Sequence, residues 1–198
     1  MLIFPKRKLV LLAVPKTGTT AFEAALEPLA DLRFSGAPSV KHATLRKYRR
    51  YVRPFLEASG IRGMKTVCVL REPVDWLRSW HAYRQRPEIE GKPHSTAGMS
   101  FEAFVEGYLQ DPQPEFAHVG FQSRFVADGE GRPAVDHMFR YDDLDAFKTF
   151  LEARFEQALD IPRLNVSPER PAEPLPPELQ ARLERERAAD FEVYRSIA

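Results

Sequence analysis

An α/β domain in three layers, with a mainly parallel central sheet flanked by helices, is what this sequence predicts. Two observations carry that prediction. Lys8–Val14 (KLVLLAV) and Lys65–Leu70 (KTVCVL) are continuous apolar runs of strand length, the pattern of strands buried on both faces. Each run leads into a segment with helical character, and strands alternating with helices build parallel sheets.

The elements follow in order. Thr19–Leu29 reads as a helix with Phe22, Ala25, Leu26 and Leu29 on one face, and Pro28 marks its end. Pro38–His42 is expected to be a short strand. Leu45–Leu56 (LRKYRRYVRPFL) is helical and very basic, with Pro54 as a kink or stop. Pro73 occupies a favoured first-turn position for a helix through Tyr83. Val135–Tyr141 is a further strand, and Leu144–Leu159 and Pro177–Ile197 are helices. Arg86–Gly98, polar and rich in Pro and Gly, is a loop or lid, and Asn165–Pro177 is a second irregular stretch. Neither separates two cores and no repeat is visible, so residues 1–198 are expected to form a single domain.

Composition narrows the function classes. In 198 residues, 43% hydrophobic, a sizeable core is possible. The 29 Lys and Arg residues against 28 Asp and Glu leave a net charge of +1, which excludes a generally basic nucleic-acid coat and an acidic disordered tail. Cys68 is the single cysteine, so an internal disulfide framework and a cysteine-rich zinc site are excluded. A reducing compartment is the simplest setting. The apolar run Leu9–Val14 falls far short of the roughly 20 residues that span a bilayer. Lys6-Arg7-Lys8 imitates the basic start of a signal peptide, but Pro15-Lys16 follows where small residues should stand. The expectation is a cytoplasmic protein with no membrane span and no nucleic-acid partner.

Two motifs carry the chemistry. The first strand runs into Pro15-Lys16-Thr17-Gly18-Thr19-Thr20 and then a helix. Backbone N–H groups of a first helical turn converge there, and the helix dipole favours an anion. Gly18 permits close backbone approach, Lys16 adds a full positive charge, and Thr17, Thr19 and Thr20 add hydroxyl donors. A capping Thr beside an exposed Lys is the plainer alternative. The loop is P-loop-like in placement, yet Lys16 precedes its only glycine, so it is not the Walker A loop that holds a nucleoside triphosphate. In the second motif, Arg71 stands at the carboxyl end of the second strong strand, where open parallel sheets bind ligands. Ser79 follows eight residues on, about two helical turns away. Arg offers a planar fork for phosphate and Ser a short donor. The alternative is an Arg paired with Glu72 or Asp75 and a surface Ser.

Together the two motifs resemble the sulfotransferases that use 3′-phosphoadenosine 5′-phosphosulfate, most like the bacterial and Golgi-type carbohydrate or protein-tyrosine group. Lys41-His42, Arg140-Tyr141-Asp142-Asp143-Leu144, Leu164-Asn165-Val166-Ser167 and Asp190-Phe191 with Tyr194 look like the same family. The resemblance implies that Lys16, Thr17, Gly18, Thr19 and Thr20 bind the 5′-phosphosulfate, that Arg71 and Ser79 bind the 3′-phosphate, and that Tyr141 lies by the adenine. It implies a hydroxyl or amine acceptor, a small molecule or a carbohydrate, and adenosine 3′,5′-bisphosphate as product. The chain departs from the cytosolic branch of the family at Ala21, where an aromatic often stands, and lacks that branch's Arg-Lys-Gly segment near the C-terminus.

Sulfuryl transfer needs in-line positioning and charge stabilisation on the leaving phosphate, a task for Lys16. No metal is expected. His42 is the candidate general base, placed near the same sheet edge, and a structural histidine is the alternative. Glu23, one turn into the first helix, is its rival, with an ordinary solvent-facing position as the plainer reading. Arg46, Lys47, Arg49, Arg50 and Arg53 form either a solvated helix face or a contact for an anionic acceptor. Two other classes compete: a small nucleotide or metabolite kinase, and a non-catalytic nucleotide-binding module of the same fold.

Overall fold

The computed structural model describes residues 1–162 and 174–197. Its strands are β1 (Leu2–Phe4), β2 (Leu9–Leu11), β3 (Leu32–Arg33), β4 (Lys65–Leu70) and β5 (His137–Arg140), in the spatial order β3-β1-β2-β4-β5. β2 pairs with β4 and β4 with β5 in parallel, whereas β1 pairs antiparallel with both β2 and β3. The sheet is therefore mixed, not the mainly parallel sheet expected. The cause is local. Leu2–Phe4 returns into β2 through a tight turn at Pro5–Arg7, with Lys8 in the left-handed region at φ 49°. So short a connection can only join antiparallel neighbours. Three apolar residues are too few to register as a separate period, which is why β1 was not legible.

The helices are α1 (Thr19–Leu26), α2 (Pro38–Lys41), α3 (Leu45–Lys47), α4 (Arg53–Ala58), α5 (Pro73–Arg84), α6 (Phe101–Leu109), α7 (Gln122–Val126), α8 (Leu144–Phe155), α9 (Pro177–Glu186) and α10 (Ala188–Arg195). Pro38–His42 is not a strand. Pro38 opens a single helical turn and His42 closes it. Between α3 and α4, Tyr48–Val52 forms a π-helical turn in which the N–H of Arg53 reaches the carbonyl of Tyr48. The wider turn admits Pro54 without ending the helix, since a proline ring collides with the carbonyl four residues earlier in an α-helix. The expected helix Pro177–Ile197 breaks at Arg187, whose side chain donates to the Tyr108 carbonyl at 2.9 Å. α6 and α7 were not expected, although Ser100 caps α6 in the ordinary way by accepting from the N–H of Ala103 at 3.1 Å.

Alternation along the strands divides the core in two. Leu2, Phe4, Leu9, Leu11, Val67 and Val69 face α1 and α8. Ile3, Val10, Leu12, Cys68 and Leu70 face the helical segment 45–58, α7 and α10. A further apolar cluster joins Trp76 and Leu77 of α5 to Phe104 and Tyr108 of α6, Leu183 of α9 and Phe191 of α10. Arg86–Gly98 is irregular apart from one turn at Pro87–Ile89, and it is tied to α5 where the buried Thr96 donates its hydroxyl to the His81 carbonyl at 2.8 Å. Most of the stretch Asn165–Pro177, with Leu164–Ser167, lies outside the described residues. Among the described residues no helix is long and apolar enough to cross a membrane.

Phe147 of α8 is fully buried, with ring centroids 4.7 Å from Phe22 and 5.3 Å from Phe139. Phe147→Ala is expected to lower stability by about 3–5 kcal/mol. Denaturant unfolding should show a shifted midpoint at unchanged slope.

Candidate functional site

The parallel half of the sheet brings three strand ends to one edge. β2 ends in the loop Val14–Gly18, β4 in Arg71, and β5 in Tyr141, the first residue of a turn through Asp143. In the loop, Lys16 and Gly18 both have left-handed backbones, with φ 66° and 69° on either side of Thr17. Alternation of left-handed with right-handed residues is a backbone pattern that can turn successive N–H groups toward one side. Gly18 caps α1 without a side-chain hydrogen bond, so no capping side chain engages the first-turn N–H groups. Gly18 is required on a second count, because a Cβ there would lie 2.8 Å from the Tyr141 ring. Lys16 has no such licence, so its φ is a strain that the surrounding contacts must hold.

Those contacts are on hand. The Thr17 hydroxyl donates to the Val14 carbonyl at 2.9 Å, and the Thr19 hydroxyl lies 3.5 Å from the same oxygen. Both side chains are buried. The hydroxyls of Thr17 and Thr19 thus brace the loop from beneath, in place of the ligand-facing role expected of them. Thr20 is exposed at the start of α1. Trp76 donates its indole N–H to the Pro15 carbonyl at 2.8 Å and fastens the loop to α5.

Arg71 is fixed at its backbone by the buried Gln122. Its N–H donates to Gln122 Oε1 at 2.9 Å and its carbonyl accepts from Gln122 Nε2 at 2.7 Å. The guanidinium pairs through Nε with Asp75, donates from Nη1 to the Lys16 carbonyl at 3.3 Å, and lies 4.2 Å over the Tyr141 ring. Lys16 sends its ammonium to α5 instead, 3.5 Å from the Tyr83 ring centroid and 5.4 Å from that of Trp80. Among the described residues no carboxylate lies within ion-pair distance of it. Burial, followed by the charges of Arg86, Arg71 and Arg84, lowers its pKa to about 7. Arg84 is itself held by the carbonyls of Glu115, Phe116 and His118.

Ser79 lies on the α5 stripe Asp75, Ser79, Tyr83, spaced at four residues. Asp75 engages Arg71 at one end of this stripe and Tyr83 receives Lys16 at the other. By helical register Ser79 falls between them, and it is half-buried. Tyr141 forms the opposite wall, against Gly18 and beneath Arg71.

His42 closes α2 and reaches the end of β2, where Nδ1 donates to the Ala13 carbonyl at 2.8 Å. That bond leaves the lone pair on Nε2. Burial pushes its pKa below the ordinary histidine value, so the ring is neutral at pH 7. Glu23 is not the solvent-facing carboxylate expected. It pairs with Lys41 at 3.1 Å and is 13% exposed. Trp76, Trp80, Tyr83 and Gln122 escaped the sequence reading. The three aromatics recur at helical spacing along α5 and could have been read as a stripe, but Gln122 carries no local signal. No group of three or more His, Cys, Asp or Glu residues placed to hold a metal occurs among the described residues.

No protein-family model matches this chain, and no curated protein matches its sequence.

The depressed pKa of Lys16 has a definite sign in stability. Between pH 7 and the ordinary lysine pKa of about 10.5 the unfolded chain binds more protons at this position than the folded one. The contribution of Lys16 therefore makes stability rise with pH across that window. Lys16→Met should flatten this rise and be most stabilising below pH 7, measured as melting temperature against pH beside wild type.

Proposed function

We propose that this chain is a sulfotransferase that moves a sulfuryl group from 3′-phosphoadenosine 5′-phosphosulfate to a hydroxyl or amine of a small molecule or carbohydrate. The observation that carries the reading is the meeting of Lys16, the left-handed loop and Arg71 at one sheet edge, with Arg71 touching the loop through the Lys16 carbonyl. The donor set suits two separate anionic groups. Backbone N–H groups and Lys16 serve one, while Arg71 and Ser79 serve the other. The nearby acids are engaged: Asp75 with Arg71, and Glu72 as the cap that accepts from the Asp75 N–H at 2.8 Å.

The donor supplies the activated sulfuryl group, and the chain's residues do the rest. The loop N–H groups and Lys16 hold the 5′-phosphate and neutralise the charge that grows on the oxygen bridging it to sulfur as that bond breaks. For this the Lys16 side chain turns from Tyr83 toward the loop, and the anion restores its positive charge. His42 Nε2 takes the proton of the acceptor as the new bond to sulfur forms. Tyr141, whose ring lies beneath the Arg71 guanidinium, marks the side of the site where the adenine would lie. A kinase reading has less support, because Lys16 precedes the loop's only glycine and the loop lacks the Walker A order. A cytoplasmic location goes with the reading, in keeping with a single, buried Cys68.

Adenosine 3′,5′-bisphosphate should raise the melting temperature more than ATP with magnesium does. Arg71→Ala should weaken that ligand by roughly 10- to 100-fold, the equivalent of one charge-assisted hydrogen bond, and leave adenosine 5′-phosphate nearly untouched. Equal loss for both ligands would mean that Arg71 only holds the loop.

Lys16→Ala should lower single-turnover sulfuryl transfer by about 10²–10³-fold at saturating donor, with a smaller change in donor affinity. Transfer at the wild-type rate would make Lys16 a binding residue alone. Absence of transfer to every acceptor in a labelled-donor screen, with nucleotide binding intact, would favour the non-catalytic module.

A further inference from the structure

The helical segment 45–58 uses only one of its faces to build the fold. Leu45, Tyr48 and Leu56 are buried against the sheet. On the outward face Tyr51 and Phe55, one turn apart, are 64% and 62% exposed, the most exposed of the large apolar side chains among the described residues. Arg46, Lys47 and Arg50 are exposed on the turns around them, and the Arg50 guanidinium lies 5.3 Å over the Tyr51 ring. Within 45–58 the one acidic side chain is Glu57, already paired with Arg53 at 2.7 Å. The face is therefore strongly positive although the chain as a whole carries only +1. Beside it opens a cavity of about 260 Å³ lined by Arg49, Arg53, Arg62 and Lys65 but also by Glu57 and Asp136, which pair with Arg53 and Lys65. Tyr48 is part of its wall, and the Tyr48 hydroxyl is buried without a hydrogen-bond partner.

We propose that this face docks on an anionic lipid bilayer. Tyr51 and Phe55 enter the interface, and Arg46, Lys47 and Arg50 meet the headgroups. Charge complementarity selects the occupant's sign, and the aromatic pair selects a bilayer. Basic residues suffice for a soluble polyanion, whereas exposed apolar rings gain only where they leave water. The helix begins three residues beyond His42, so docking holds the candidate site's edge near the membrane surface without a spanning helix.

The test is flotation with phosphatidylcholine vesicles in which about a third of the lipid is phosphatidylserine, at about 0.1 M salt. It needs no nucleotide, so its result is independent of the sulfuryl-transfer reading. The protein should bind these vesicles and not pure phosphatidylcholine. Arg46→Ala with Arg50→Ala should weaken binding by about fivefold per charge removed. Tyr51→Ser with Phe55→Ser should weaken it at least about tenfold, with melting temperature unchanged because both rings are exposed. Absence of binding to the anionic vesicles overturns the proposal. So does binding that the aromatic variant keeps, since a bare cationic patch would then suffice. Tighter binding to a single-stranded oligonucleotide than to the vesicles would also overturn it, and would assign the face to nucleic acid.

Discussion

The parallel pairing of β2 with β4, with Leu11 opposite Val67, is the constraint on which the candidate site rests. It ends both strands at the same edge, so the loop after β2 and Arg71 after β4 emerge as neighbours. The ladder continues past β2 itself, where the N–H of Leu12 donates to the Val67 carbonyl at 2.9 Å. Both strands are buried on both faces, and a slip of one residue would exchange Val10 and Leu12 with Leu9 and Leu11 between two differently shaped layers. The register is thereby held, and with it the distance between two elements of the candidate site far apart in sequence.

Lys16 combines two costs. Its backbone is left-handed without the excuse of glycine, and its ammonium is half-buried among arginines. Two devices hold it. Thr17 and Trp76 secure the loop at the carbonyls of Val14 and Pro15, and the faces of Tyr83 and Trp80 receive the charge. An aromatic face is a weaker partner than a carboxylate, and it does not cancel the charge. The side chain is thereby kept beside the loop against aromatic faces, with no carboxylate within ion-pair distance among the described residues. A carboxylate in place of Tyr83 would compete with the anion of the proposed donor.

The segment 45–58 joins two further needs in one element. Its inner face completes a core layer, and its π turn lets Pro54 pass without ending the helix. The helix therefore continues far enough to bury Leu56. The same continuity lines up Tyr51 and Phe55 on the outer face. Packing decides the inner residues, but nothing in the fold requires two aromatic rings in water among basic side chains.

The candidate site is legible in the sequence where its pattern is local. A strand-like run followed by Lys16–Thr20, and a second followed by Arg71 and the α5 helix, are contiguous patterns whose periodicity and residue types survive in one dimension. The two strong strands, α1, α5 and α8 were readable for the same reason. What tertiary structure decided are the pairings between distant residues. The return of β1 makes the sheet mixed, Gln122 grips the backbone of Arg71, and Tyr141 closes on Gly18. His42 reaches Ala13 from a helical turn and not from a strand. Thr17 shows the limit most plainly. A threonine in such a loop offers the same hydroxyl whether it faces outward or into the protein, and only the position of the Val14 carbonyl beneath it determines that the bond is made inward.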